Sequence, residues 1–283
     1  MKVPKVRLAR NIEVSRLGCG LIRIGREWGI NRPGESAVYS AKEAWEFLEG
    51  AIKLGINFFD TAPAYGESER IFGEFVTAHR SLIEQAGVIV ATKCGEHAPG
   101  QRDYSAPALE RSIENSLRLF GGHINLLQLH SANPNVLADK AALKVMEKFK
   151  ERGDIDHLGA TIAWPPQVAE QAIKTRIFST LQLPYSLLWN DMKDVIEIAH
   201  KEGLGVITNQ PLARGALSQK WELSNHETRS KVNKLMEDRE IEPNDLTTEA
   251  WKFIQKPVTI SVILTGTRNL QHLRENLAYL DKE

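Results

Sequence analysis

The 283-residue chain is 42% apolar and 25% charged, and its 36 Lys plus Arg are balanced by 36 Asp plus Glu. That balance leaves no basic footprint for nucleic acid or an anionic membrane, while the apolar share is ample for a packed core. Two cysteines, Cys19 and Cys94, exclude a disulfide framework, the opening Met1-Lys2-Val3-Pro4-Lys5 lacks the apolar stretch of a secretory signal, and no run nears the ~18 apolar residues of a membrane span, so a cytoplasmic protein is expected.

In chain order, residues 6–15 alternate and turn at Arg10-Asn11, which predicts an N-terminal β-hairpin. Eight short runs rich in branched aliphatic residues follow: 17–20, 56–59, 88–91, 124–129, 157–161, 179–183, 205–208 and 258–263. Each has the length and composition of a buried strand. Amphipathic segments lie between them. In residues 41–54 the set Ala44, Phe47, Leu48, Ala51 and Ile52 follows the three-four spacing of one helix face, and Gly55 supplies the stop. Comparable faces occupy 106–120, closed by Gly121-Gly122, and 191–202, closed by Gly203. Pro165-Pro166 suits the first turn of a helix after the fifth strand, and a last helix spans 270–280.

Strand then helix, repeated eight times, predicts a parallel sheet clothed by helices. Eight units in this length favour a closed (β/α)₈ TIM barrel, one domain over residues 1–283, above an open doubly wound sheet. No G-x-G-x-x-G follows the first strand, which speaks against a dinucleotide fold of the doubly wound kind. Residues 22–40 and 211–245 break the rhythm. Both follow strands, so both belong at the C-terminal face of the barrel, where such folds keep their chemistry.

Strands two, three and four end in Asp60, Lys93 and His130, and Tyr65 follows in a loop held by Pro63 and Gly66. Singly, each has a mundane reading: a strand-end Asp caps a helix, and a lone Lys faces water. Together, at one barrel mouth, they form a proton-transfer set. An ordinary phenol, with a pKa of about 10, is a poor donor at neutral pH, and an adjacent ammonium lowers that pKa. The aspartate holds the lysine and offsets the cost of burying it, and the histidine orients a carbonyl oxygen. The set suits an alkoxide forming on a carbonyl that receives hydride, or the reverse oxidation.

The motif Asp60-Thr61-Ala62-Pro63-Ala64-Tyr65-Gly66-Glu67-Ser68-Glu69 resembles the signature of the aldo-keto reductases. Ala91-Thr92-Lys93, Leu127-Gln128-Leu129-His130, Pro211-Leu212-Ala213-Arg214-Gly215 and Thr265-Gly266-Thr267-Arg268-Asn269 continue the resemblance in order along the chain. It implies the family's (β/α)₈ barrel and nicotinamide-dependent carbonyl reduction, with NADPH as the usual cofactor and NADH admitted. Carried over, Tyr65 is the general acid, Lys93 and Asp60 tune it, and His130 orients the substrate. Thr161 and Gln182 match positions that grip the carboxamide, although Ile162 replaces the family asparagine. Asn209 stands where an aromatic ring stacks on the nicotinamide, so Trp164, Tyr185 and Trp189 become candidates to supply a ring. Asn209, Gln210, Pro211, Leu212 and Arg214 are expected along the cofactor. Gly266, Thr267, Arg268 and His272 are expected at its phosphates, with Glu275 and Asn276 at the adenine. Gly266 and His272 replace a lysine and an arginine of NADP-preferring members, leaving Arg268 as the main mark of a 2′-phosphate.

Trp28 and Asn133 are the expected substrate contacts. Cys94 is read as packing beneath the site, and His97, His123 and His200 lack metal-ligand spacing, so no metal is expected. The end of the chain soon after the last helix implies a short C-terminal tail, an open pocket and broad selectivity among small carbonyl compounds. Two other readings exist. A slow nucleotide-binding sensor or regulatory subunit is compatible with Ile162 and Asn209, and a Schiff-base lyase built on Lys93 leaves the Tyr65 motif unexplained. Balanced charge marks no partner surface, and the oligomeric state stays open.

Overall fold

Alternation at the start of the chain becomes two antiparallel strands, Lys5–Ala9 and Ile12–Ser15, with Asn11 in the left-handed region at the turn (φ 64°). Asparagine tolerates that conformation better than most residues. The computed structural model describes residues 3–31, 38–163 and 165–280. Behind the hairpin, eight parallel strands close into a barrel: Leu17–Gly20, Phe58–Asp60, Ile89–Cys94, Ile124–Leu129, Ile155–Thr161, Thr180–Pro184, Gly205–Asn209 and Val262–Thr265. Each pairs with the next, and the eighth pairs with the first through Ile263 and Leu17.

Helices wrap the outside, and their buried faces are the apolar stripes of the sequence. Ala41–Lys53 buries Ala44, Phe47, Leu48, Ala51 and Ile52, and it opens with a reciprocal capping box between Ser40 and Glu43. Ala106–Leu119, Lys193–Lys201 and Leu270–Leu280 lie within two residues of their expected bounds, and Pro166–Thr175 opens at the expected prolines. Ser68–Ala78, Lys140–Glu151 and Leu246–Gln255 complete the ring. Among the described residues no helix is long and apolar enough to cross a membrane.

The eighth strand departs from expectation. It begins at Val262, because Pro257 opens a turn in which the Ile260 amide donates to the Pro257 carbonyl, and Val258 is 85% exposed. The segment after the seventh strand holds a helix, His226–Arg239, whose only buried residue is Val232. Such a polar element adds little to the core. The loop after the first strand begins with a short helix, Ile22–Gly25, and residues 32–37 of it lie outside the described residues.

Strand alternation sorts the barrel interior into layers. Phe58, Ala91, Leu126, Ile207 and Val262 form an apolar layer that packs on Leu8, Ala9, Ile12 and Val14 of the hairpin. The hairpin therefore plugs the N-terminal end. Two residues further along their strands, at the same inward parity, come Asp60, Lys93, Gln128 and Asn209, with Leu264 the one apolar member of the five. The interior turns from apolar to polar within one layer.

The plug is fitted closely at Gly205, where a Cβ would fall 1.9 Å from the Leu8 carbonyl oxygen. Gly205→Ala should destabilise the fold by about 1–3 kcal/mol through forced displacement of the hairpin, read from urea unfolding. An unchanged midpoint would show that the hairpin gives way freely.

Candidate active site

The polar layer is organised around one buried ion pair. Asp60 and Lys93 are 2% and 1% exposed, and Lys93 Nζ donates to Asp60 Oδ1 at 2.5 Å and to the Thr61 carbonyl at 2.8 Å. Two charges out of water are costly unless their remaining hydrogen-bond capacity is met. Here it is met. Asp60 Oδ2 accepts from Gln128 Nε2 at 2.7 Å and from Gln182 Nε2 at 3.0 Å. Gln182 Nε2 also donates to Gln128 Oε1, and Asn209 Nδ2 donates to Gln182 Oε1, both at 3.1 Å.

The conspicuous motif 60–69 acquires a reason at nearly every position. Pro63 opens a 3₁₀ turn, Pro63–Tyr65, closed by the Tyr65 amide on the Ala62 carbonyl. Gly66 sits at φ 62°, and a Cβ on it would lie 2.5 Å from the Gly25 carbonyl, so only glycine fits. The Thr61 and Ser68 hydroxyls are 2.9 Å apart, and Ser68 donates to the Leu21 carbonyl. Glu69, nearly fully buried, accepts from Thr92 and Ser116. These contacts fix the Tyr65 ring with its centroid 4.6 Å from Lys93 Nζ and edge-to-face with His130 at 5.7 Å. All four expected catalytic residues thus converge.

Their protonation follows from burial and neighbours. Burial pushes the Tyr65 phenol above its usual value, and the attraction of Lys93 offsets this only in part. This corrects the expectation of a lowered phenol pKa, because desolvation outweighs the ammonium. Burial also works against the Lys93 ammonium, but Asp60 and Tyr65 overcome it and hold the group above its usual range. His130 is pushed down to about 3, chiefly by burial and then by Lys93, so its imidazole is neutral at physiological pH. Its Nδ1 is buried without a partner among the described residues. Burial pushes the Cys94 thiol up, which leaves it inert beneath the site. Among the described residues no group of three or more His, Cys, Asp or Glu is placed to hold a metal.

A cleft of about 650 Å³ opens above this floor. Asp60, Tyr65 and Gln182 line it, together with Asn209, Gln210, Pro211, Leu212 and Arg214, and with Trp28, whose ring lies 4.9 Å from the Arg214 guanidinium. Gly266, Thr267, His272, Glu275 and Asn276 line its outer part. Arg268 lines an adjoining cleft of about 490 Å³ that shares Thr267 and His272, and its guanidinium lies 5.7 Å from the Tyr39 ring.

Several expected contacts are absent from the cleft. Thr161 does not line it: its Oγ1 accepts the Ser131 amide at 2.8 Å, which fixes the loop after the fourth strand. Asn133 is likewise turned to structure, its Oδ1 capping the helix Pro134–Ala138 at the amides of Asn135 and Val136. Tyr185 is buried against Phe253, and Trp189 faces Arg214 outside the lining, so neither supplies a stacking ring. Trp164 lies outside the described residues. Gln128 was missed, although an inward-facing glutamine two residues before His130 on a buried strand was the signal for it.

Comparison with known proteins bears on the family and the fold. The profile of the Aldo/keto reductase family matches residues 16–283. L-galactose dehydrogenase of Arabidopsis thaliana is 27% identical over 281 residues, covering 94% of this chain and 84% of that protein. An uncharacterized oxidoreductase of Mycobacterium tuberculosis is 33% identical over 221 residues, covering 75% of this chain and 63% of its own. Among solved structures, a putative aldo-keto reductase from Pseudomonas aeruginosa superposes with a TM-score of 0.76 at 26% identity, covering 97% of this chain and 93% of that one. The fold of an aldo-keto reductase from Bacillus halodurans matches with a TM-score of 0.81 at 22% identity, over 99% and 92% of the two chains.

The neutral His130 sets the sign of an acid effect. Its pKa is about 3 when folded and 6.5 when unperturbed, so between those values the unfolded chain binds more protons. The contribution is fully present above about pH 6.5 and falls by up to ~1.4 kcal/mol per pH unit below it. Denaturant titrations at pH 7 and pH 5 should show the parent losing about 2 kcal/mol more than His130→Gln. Equal losses would mean that the imidazole is not held neutral.

Proposed function

The chain belongs to the aldo/keto reductase family and is an oxidoreductase, and on that footing we propose that it reduces aldehydes or ketones to alcohols with NADPH. The observation that carries this is the line Asp60–Lys93–Tyr65, with neutral His130 beside the phenol and with Asp60 and Tyr65 lining an open cleft.

The cleft residues fit a phosphorylated dinucleotide. Arg268 Nη1 is buried without a partner among the described residues, close before the helix Leu270–Leu280. Gly266 leaves its surroundings open, since a Cβ there would meet nothing within 4 Å. Asn209 Oδ1 is a buried acceptor without a partner among the described residues, on the wall near Gln182. In this reading Thr267, Arg268 and His272 hold the 2′-phosphate, with Glu275 and Asn276 at the adenine. Gln210 to Arg214 run along the pyrophosphate, and Asn209 with Gln182 takes the carboxamide in place of Thr161. When bound, the cofactor supplies hydride to the carbonyl carbon.

The chain's own residues handle the proton. Tyr65 Oη holds it, and the raised pKa keeps it there until the carbonyl oxygen gains negative charge. A nascent alkoxide is more basic than phenolate, so the transfer then runs downhill. Lys93 steadies the phenolate left behind, and Asp60 keeps Lys93 charged. His130, being neutral, offers one N–H to the carbonyl oxygen and sets its direction without competing as an acid.

NADPH consumption against activated aldehydes and diketones should fall by about 10²–10⁴-fold in Tyr65→Phe, with NADPH binding retained. A mutant as fast as the parent overturns the role of the phenol, and saturable NADPH binding without turnover in the parent turns the reading to a nucleotide sensor. Arg268→Ala should weaken NADPH about tenfold more than NADH in fluorescence titrations, and equal weakening would remove Arg268 from the phosphate.

A further inference from the structure

Most charges around Tyr65 are matched. Asp60 and Lys93 neutralise each other, Glu96 pairs with Arg102, and His130 is neutral. Arg26 is the exception. Its Cζ lies 5.9 Å from the Tyr65 ring centroid and 5.1 Å from that of Trp28. It forms no ion pair with a carboxylate among the described residues, and its Nε is buried there without a hydrogen-bond partner.

The local sequence holds this guanidinium in place. A Cβ on Gly25 would fall 2.0 Å from the Tyr65 carbonyl, so the chain before Arg26 lies directly on the Tyr65 turn. The Arg26 amide donates to the Ile22 carbonyl at 3.0 Å, closing the short helix. At the other end, the Ile30 amide donates to the Arg214 carbonyl at 3.1 Å, and Gly29 supplies a φ of 72°. Trp28 is held between these two anchors. A guanidinium resting on an indole keeps its planar fork of N–H groups pre-organised, with less freedom to lose on binding. Arg214 also rests near Trp28, at 4.9 Å, but its Nε already donates to Gln210 and it lines the cofactor cleft.

A partly buried, unpaired guanidinium is costly, and a carboxylate meeting it through two parallel hydrogen bonds removes that cost. We infer that Arg26 anchors a carboxylate carried by the substrate, so that the carbonyl compounds reduced best by this chain are aldehydo or keto acids. The inference rests on the reductase reading and names its substrate class. With Arg26 Cζ 5.9 Å from the Tyr65 ring centroid, one small molecule spans from a carboxylate on the guanidinium to a carbonyl at the phenol. It replaces the expectation of indifference among carbonyl substrates with a preference for anionic ones.

The test compares kcat/KM for matched pairs: succinic semialdehyde with its methyl ester, and 4-carboxybenzaldehyde with its methyl ester. The parent should favour each acid by about tenfold to a hundredfold, mainly through KM. Arg26→Met should bring the ratio near one, and Arg26→Lys should restore part of it. An acid no better than its ester, or a preference that survives in Arg26→Met, overturns the inference. If no carbonyl compound turns over, the reductase reading fails separately, and calorimetric titration with benzoate and benzamide decides the anchor. Benzoate binding that needs Arg26 sustains it, and benzoate binding no tighter than benzamide overturns it.

Discussion

The buried contact between Lys93 and Asp60 is the constraint around which the barrel interior is arranged. A lone ammonium at this depth would shed its proton, and a lone carboxylate would take one up. Held together, they form a buried ion pair in which Lys93 stays charged, and the remaining hydrogen-bonding directions are filled. The Thr61 carbonyl takes one ammonium proton, and Gln128 and Gln182 cover the far carboxylate oxygen. Asn209 extends the same lattice across to the seventh strand. Five strands thus contribute to this one pair and its partners, and the phenol beside it inherits that environment.

The layering of the barrel explains how so polar a cluster coexists with a stable core. Inward positions recur every second residue along a strand, so the change from Phe58 to Asp60, or from Ala91 to Lys93, moves from oil to charge in one step. The hairpin seals the apolar side, and the loops after the strands dress the polar side. The motif after the second strand serves both layers. Thr61, Gly66, Ser68 and Glu69 are spent on fastening the turn that presents Tyr65, while Asp60 is spent on charge.

Much of this was legible in the sequence because it depends on local pattern. Runs of branched residues mark buried strands, glycine stops mark helix ends, and ionisable residues at strand ends of a barrel share one mouth. What depends on tertiary choice was not legible. Nothing in Thr161 or Asn133 shows that their oxygens are taken by the amides of Ser131, Asn135 and Val136. Gln128 reads as an ordinary strand residue until its inward parity places it on Asp60. The direction of the Tyr65 shift needed the degree of burial, which no spacing supplies. Arg26 looks like any surface arginine until the turn beneath it is built.

The plug at the foot of the barrel has a consequence for traffic. Leu8, Ile12 and Val14 stack beneath Phe58 and Leu126, so the described residues below the ion pair are apolar. Lys93 spends its protons on Asp60, Thr61 and the neighbourhood of Tyr65, and none of these opens to the rear. In the proposed reduction, the phenol lining the cleft regains its proton from the side on which the reacted molecule departs, so emptying the cleft and resetting its acid meet at the same rim.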